Sequence, residues 1–165
     1  MIYKTNYLKQ IKPIIKDLTK ECFSQRPAVY DGRNQYALNT KHKDLLYKLF
    51  ISFCKKKLNK FTLTKDDLIV WCYFSNKDYH FENKCWHNHI NSSTIVGVLY
   101  LDIPEDNKGI DFFDNGTINY KVKKGDFLIF PNFLSHFPYP SKDKTRISIN
   151  LELNCKEPSF KIFDL

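Results

Sequence analysis

The sequence predicts an α+β fold in which helices come first and back an antiparallel sandwich or barrel. Two early segments repeat apolar residues at helical spacing, whereas every apolar run after residue 60 reads as a short strand. Gly, Pro, Asn and Asp punctuate the later runs, as turns between antiparallel strands require.

The first helical segment is 6–22. Tyr7, Leu8, Ile11, Ile14, Ile15, Leu18 and Cys22 share one face, and lysines occupy the other. Asn6 is a candidate N-cap. Pro13 predicts that the helix either begins or kinks there. Residues 24–42, with Pro27 and Gly32, read as a long loop holding one short extended piece. A loop of this length in a compact domain points to function; Tyr30 and Arg33 on it face either a substrate or plain solvent. The second helix is 43–58, from Leu45, Leu46, Leu49, Phe50, Phe53, Cys54 and Leu58. Lys55, Lys56 and Lys57 fall in its last turn, where cations suit the helix dipole. Strands are expected at 69–74, 94–102, 110–113, 117–121, 126–130 and 146–153. Asn115-Gly116 between two of them is a hairpin signal. The sequence holds no internal repeat and no low-complexity tract.

Composition narrows the class. The 165 residues, 42% of them hydrophobic and 16% aromatic, suit one packed domain. Within it, 1–60 is the helical support and 66–155 the strand region. No apolar run approaches the ~20 residues that span a bilayer. The N-terminus lacks a basic stretch followed by an apolar one. The expectation is a cytoplasmic protein with no membrane partner. The five cysteines (22, 54, 72, 85 and 155) are odd in number, scattered and never spaced C-x-x-C. That pattern argues against a disulfide framework or zinc knot and suits a reducing compartment. The net charge of +8 is uneven: residues 1–65 carry 15 Lys+Arg against 4 acids, and residues 66–165 carry 11 against 14. A basic N-terminal region can attract nucleic acid. A solvated lysine face is the favoured reading, because Arg, the preferred phosphate fork, occurs only three times.

The chemistry concentrates in Cys85-Trp86-His87-Asn88-His89, Ser135-His136 and Arg146. Three of the five histidines lie there. Imidazole is the commonest protein metal ligand, and residues i and i+2 share a strand face, so His87 and His89 can aim at one point. His136 follows an apolar strand and the turn at Pro131. Arg146 opens the last long strand with Ser148 on its face, a pairing that suits a carboxylate. Tyr100 shares a face with Val96 and Val98 and can join the same pocket. Trp86 reads as core or pocket wall, Cys85 as an ordinary buried thiol. His42 and His80 read as satisfied polar residues.

Residues 86–154 resemble the Fe(II)/2-oxoglutarate-dependent oxygenases, in particular the prolyl-hydroxylase-like branch and the small oxygenases of bacteria and phages. The segments that carry the resemblance are Trp86-His-Asn-His89, Gly97-Val-Leu-Tyr-Leu101 with Pro104, and Gly109-Ile-Asp-Phe112. They continue with Lys124-Gly-Asp-Phe-Leu-Ile-Phe-Pro131, Ser135-His136 and Arg146-Ile-Ser-Ile-Asn150. The resemblance implies a double-stranded β-helix (jelly-roll) core with the two N-terminal helices packed on one sheet. It implies iron held by His87 and His136, and O2 and 2-oxoglutarate as co-substrates. Arg146 would hold the distal carboxylate, with Ser148 and Tyr100 assisting. Val96, Val98, Phe130 and Phe137 would supply dry walls. The reaction implied is hydroxylation of an unidentified substrate, coupled to decarboxylation of 2-oxoglutarate to succinate. Loops 24–42 and 76–85 would grip that substrate.

One departure matters. The family's motif is His-x-Asp or His-x-Glu, within a triad of two histidines and one carboxylate. Here the third position is His89. Either His89 is the third ligand, which is favoured, or it stands beside the metal as a supporting or substrate-facing group. Two other readings compete. A cupin-type metal protein, or a three-histidine dioxygenase that does not use 2-oxoglutarate, would also use an H-x-H pair with His136. A cupin, however, has no need of Arg146. An inactive β-helix kept as a binding module would explain the missing acid.

Overall fold

The computed structural model describes residues 1–26, 35–64, 68–75, 86–142 and 144–165. Tyr30, Arg33, His80, Cys85 and loop 76–85 lie outside the described residues.

The elements run β1 (Tyr3–Asn6), α1 (Leu8–Ile11), α2 (Ile15–Ser24), β2 (Gln35–Ala37), α3 (Lys43–Lys57) and β3 (Ile69–Ser75). After them come β4 (Ile95–Asp102), β5 (Ile110–Phe113), β6 (Thr117–Tyr120), β7 (Asp126–Pro131), β8 (Ser135–Pro138), β9 (Arg146–Leu153) and α4 (Ser159–Ile162). Pro13 divides the expected first helix into α1 and α2, because proline offers no N–H and its ring crowds the preceding turn. Tyr7, not Asn6, is the N-cap of α1, and Asn6 braces the turn from one residue before it. Its Oδ1 accepts from the Leu8 amide at 3.0 Å and its Nδ2 donates to Asp126 Oδ1 at 2.7 Å.

All strand pairs are antiparallel and form two sheets. The larger has the order β1-β7-β4-β9-β3-β2, the smaller β6-β5-β8. Val96, Val98 and Tyr100 of β4 and Leu128 and Phe130 of β7 pack with Ile110 and Phe112 of β5. The two sheets therefore face each other. The opposite side of the large sheet lies under the helices, where Leu18, Phe50 and Phe53 meet Leu99, Phe127 and Leu151. Both helices thus back one sheet, as the apolar stripes predict.

Two turns depend on left-handed backbone. Asn115 (φ 53°) and Gly116 (φ 142°) close the predicted β5–β6 hairpin. Gly125 (φ 82°) precedes β7, and a Cβ there would stand 2.5 Å from that of Leu8.

The structure adds elements that periodicity did not show. β2 is the short extended piece expected within 24–42; β1 was not foreseen, and together they place N-terminal residues in the large sheet, so 1–60 is not purely helical. β8 follows β7 after a tight turn, and α4 breaks the rule that everything after residue 60 is strand. Cys22, Cys54, Cys72 and Cys155 are free thiols. No helix among the described residues is long and apolar enough to cross a membrane.

Candidate metal centre

The floor of the site is one face of β9. Residues 146–153 alternate polar and apolar, and all eight are buried. Ile147, Ile149, Leu151 and Leu153 point into the helix-covered core. Strand alternation turns Arg146, Ser148, Asn150 and Glu152 the other way, toward the small sheet. Arg146, Ser148 and Asn150 line a narrow cleft with Tyr73, Val98, His87 and His136.

Three histidines converge beside this cleft, two of them, His87 and His136, in its lining. One nitrogen from each of His87, His89 and His136 lies within 4.8 Å of the other two. The backbone fixes the pairing. The His87 amide donates to the His136 carbonyl at 3.2 Å, and the His136 amide to the His87 carbonyl at 2.9 Å. This isolated antiparallel bridge joins the H-x-H segment to β8. The His89 amide donates to the Asn132 carbonyl at 2.7 Å. Asn132 is itself anchored, accepting from Ser159 Oγ at 2.6 Å and donating to the Ser93 carbonyl at 2.6 Å.

Hydrogen bonds also select the tautomers. His136 Nδ1 donates to the Leu134 carbonyl at 3.0 Å, which leaves Nε2 with a free lone pair. Burial, with His87 beside it, pushes the His136 imidazole well below its ordinary pKa. A neutral ring is the form a metal needs. His89 Nδ1 lies 2.7 Å from Glu152 Oε1, and both side chains are buried. His89 Nε2 is also buried, and has no hydrogen-bond partner. Three imidazoles around one point, one with an orphaned inward nitrogen, fit a divalent transition metal.

The second half of the site is Arg146. It is 1% exposed, and its guanidinium lies over the Tyr100 ring at 4.9 Å and the Tyr73 ring at 5.5 Å. Pairing places Ser148 directly between Tyr100 of β4 and Tyr73 of β3. Arg146 Nε and Nη1, Ser148 Oγ and the Tyr100 hydroxyl are all buried without a hydrogen-bond partner. Burial raises the Tyr100 pKa, with Arg146 opposing the shift, so this hydroxyl remains a donor. Orphaned buried donors are costly unless a ligand completes them. This group fits the carboxylate of a small acid.

Of the six residues singled out from the sequence, His87, His136, Arg146 and Ser148 line the cleft, while His89 stands beside His136 and Tyr100 beside Arg146. Val96, Val98 and Phe130 are buried beside it, with the Phe130 ring 4.9 Å from that of His136. Phe137 does not line it. His136 points inward, so alternation along β8 turns Phe137 outward, against Trp86 at 6.1 Å. Trp86 is 42% exposed on that outer side, neither core nor pocket wall. Sequence reading missed Glu152, Asn150 and Tyr73. The signal for Glu152 and Asn150 was their i+2 register with Arg146 and Ser148.

No protein-family model matches the chain, and no curated protein matches its sequence. Solved structures do match. A prolyl-4-hydroxylase from Pseudomonas putida superposes with a TM-score of 0.65 at 12% identity, over 93% of this chain and 92% of that one. The viral collagen prolyl hydroxylase of Paramecium Bursaria Chlorella virus-1 gives 0.63 at 16% identity, over 94% and 90%. A non-haem alpha-ketoglutarate-dependent carbocyclase from nogalamycin biosynthesis gives 0.58 at 8% identity, over 96% and 82%. At these identities the likeness is one of fold, and it runs nearly end to end.

Proposed function

We propose that this chain is a non-haem Fe(II), 2-oxoglutarate-dependent oxygenase built on a double-stranded β-helix, acting as a hydroxylase on a second substrate. The observation that carries the reading is the three-histidine cluster set beside a buried, incompletely bonded arginine. The fold shared with prolyl hydroxylases supports it.

His87, His89 and His136 would hold the metal through neutral nitrogens, leaving the remaining coordination positions open toward the cleft. Arg146 would take the distal carboxylate of 2-oxoglutarate, held in orientation by the Tyr73 and Tyr100 rings. Ser148 and the Tyr100 hydroxyl would complete that carboxylate's hydrogen bonds. Val98 and Ile110 line the cleft and would exclude water from its wall. When bound, iron with 2-oxoglutarate and O2 supplies the oxidising chemistry; the protein supplies position and dryness.

The test is anaerobic mixing of the protein with Fe(II) and 2-oxoglutarate. A weak visible charge-transfer band is expected. His87→Ala should lose it with the metal, and Arg146→Ala should keep the metal and lose 2-oxoglutarate affinity. Absence of the band in the parent protein, with metal retention unchanged in His87→Ala, would sink the proposal. The presence of three histidines and no carboxylate in the cluster favours one second reading, a three-histidine dioxygenase that does not consume 2-oxoglutarate. Release of succinate separates the two.

A further inference from the structure

The carboxylate missing from the H-x-H motif is not missing from the site. Glu152 stands one layer behind His89, 63 residues further along the chain, with Oε1 2.7 Å from His89 Nδ1. It is 2% exposed. Its neighbours across the sheet are Val96 on β4 and Ile69 on β3, both apolar. A carboxylate in that setting is strongly disfavoured without a good partner. Among the described residues its one hydrogen-bond partner is His89, and Oε2 has none.

We infer that Glu152 is the positioning residue of the third ligand: it holds His89 as the Nδ1–H tautomer, aims Nε2 at the metal, and supplies from behind the ring the negative charge that a carboxylate ligand would supply directly. The inference rests on the three-histidine reading above.

The hydrogen bond itself fixes the tautomer. An ionised carboxylate only accepts, so Nδ1 carries the hydrogen and the Nε2 lone pair is free. The alternative is a structural ion pair with both ring nitrogens protonated. That would leave Nε2–H as a buried donor with no acceptor. It would also set a cation among two other imidazoles, whose ring centres lie 5.2 and 5.5 Å away. Metal ligation resolves the orphaned nitrogen, and a carboxylate behind a ligating histidine raises its basicity.

Charge gives an independent reason. With three neutral ligands, a divalent cation and a dianionic co-substrate cancel, which leaves Arg146 as an uncompensated buried cation. Glu152 restores neutrality at the far end of the same strand face, three alternate positions from Arg146. A site with a carboxylate ligand in place of His89 reaches the same balance with no need of Glu152.

Co(II) is the probe, because it tolerates air and its d–d absorption reports the ligand set. Glu152→Gln keeps shape and an acceptor but loses the charge, and should weaken Co(II) binding roughly 10-fold. Glu152→Leu loses both and should weaken it by about 100-fold, the range seen for outer partners of metal-binding histidines. Each should shift the d–d bands. In a His89→Ala background, Glu152→Gln should change Co(II) affinity less than about twofold. Circular dichroism and the melting midpoint of Glu152→Gln establish that it folds. Should Glu152→Leu fail to fold, the Gln variant and the double mutant decide. Co(II) affinity and spectrum unchanged in folded Glu152→Gln would make Glu152 a structural partner and overturn the inference. That result leaves the three-histidine site standing. A parent protein that binds no Co(II) or Fe(II) overturns the site and this inference together.

Discussion

The two faces of β9 are equally buried and oppositely built. One face carries Ile147, Ile149, Leu151 and Leu153 into the core under α2 and α3; the other carries Arg146, Ser148, Asn150 and Glu152 toward the small sheet. The apolar face returns free energy through transfer from water. The polar face does the reverse: polar atoms on three of its four side chains are desolvated without hydrogen-bond partners. Under the proposed function, a ligand on that half would complete those atoms. On the proposed function, stability and function are divided between the faces of one element, and substitution can test the division.

The largest effect on stability is expected from Leu151→Ala on the helix-covered face. Loss of a fully buried leucine should cost about 2–5 kcal/mol in chemical unfolding, while the affinity of the folded protein for Co(II) stays at the parent value. Gly97→Ala probes the same face from β4. A Cβ there would stand 2.8 Å from the Phe127 ring and 2.9 Å from the Phe50 ring. Overpacking of this kind should cost roughly 1–3 kcal/mol, read as a lower melting midpoint. Arg146→Met then tests the polar face. Replacing a desolvated charge by an apolar side chain of similar length should leave stability within about 1 kcal/mol of the parent or raise it, while binding of a small dicarboxylate is lost. A large loss of stability in Arg146→Met would erase the distinction between the faces.

The smallest effect lies outside both faces. Hydrogen bonds from the Thr62 amide (2.6 Å) and hydroxyl (2.9 Å) hold the Glu157 carboxyl below its ordinary pKa. A depressed carboxylate contributes stability above its unfolded pKa and loses it as pH falls through its folded one. Glu157→Gln should therefore flatten the acid limb of a melting-temperature profile below about pH 5, with the profile above pH 6 keeping its shape.

Much of this division was legible in the sequence, and the part that was not has a clear cause. The strand runs with β-branched and aromatic residues mark β3, β4, β7 and β9, because a pleated, half-buried surface selects those side chains. His87, His89, His136 and Arg146 stand out because their chemistry is rare in this chain. Glu152 does not. Its i+2 register put it on the face of Arg146 and Ser148, but an acid at the far end of that face reads as solvated, and only the structure shows it buried against His89. Phe137 failed for the converse reason: its neighbour His136 points inward, so strand alternation sends it out. β1, with the sequence Tyr-Lys-Thr-Asn, has no apolar alternation to read; its place is set by pairing with β7 and by Asn6 and Asp126.

The backbone bridge between His87 and His136 has a thermodynamic corollary. The two rings are 49 residues apart in the chain, and His89 meets Glu152 across 63. In an unfolded chain only the H-x-H pair is near itself, so the proposed three-point chelation would exist solely in the native state. Ligand linkage then acts on folding at nearly full strength: metal at 100 times its dissociation constant would add about 2.7 kcal/mol to the unfolding free energy. A melting curve with and without added ion would count, by mass action, how completely the two sheets have docked.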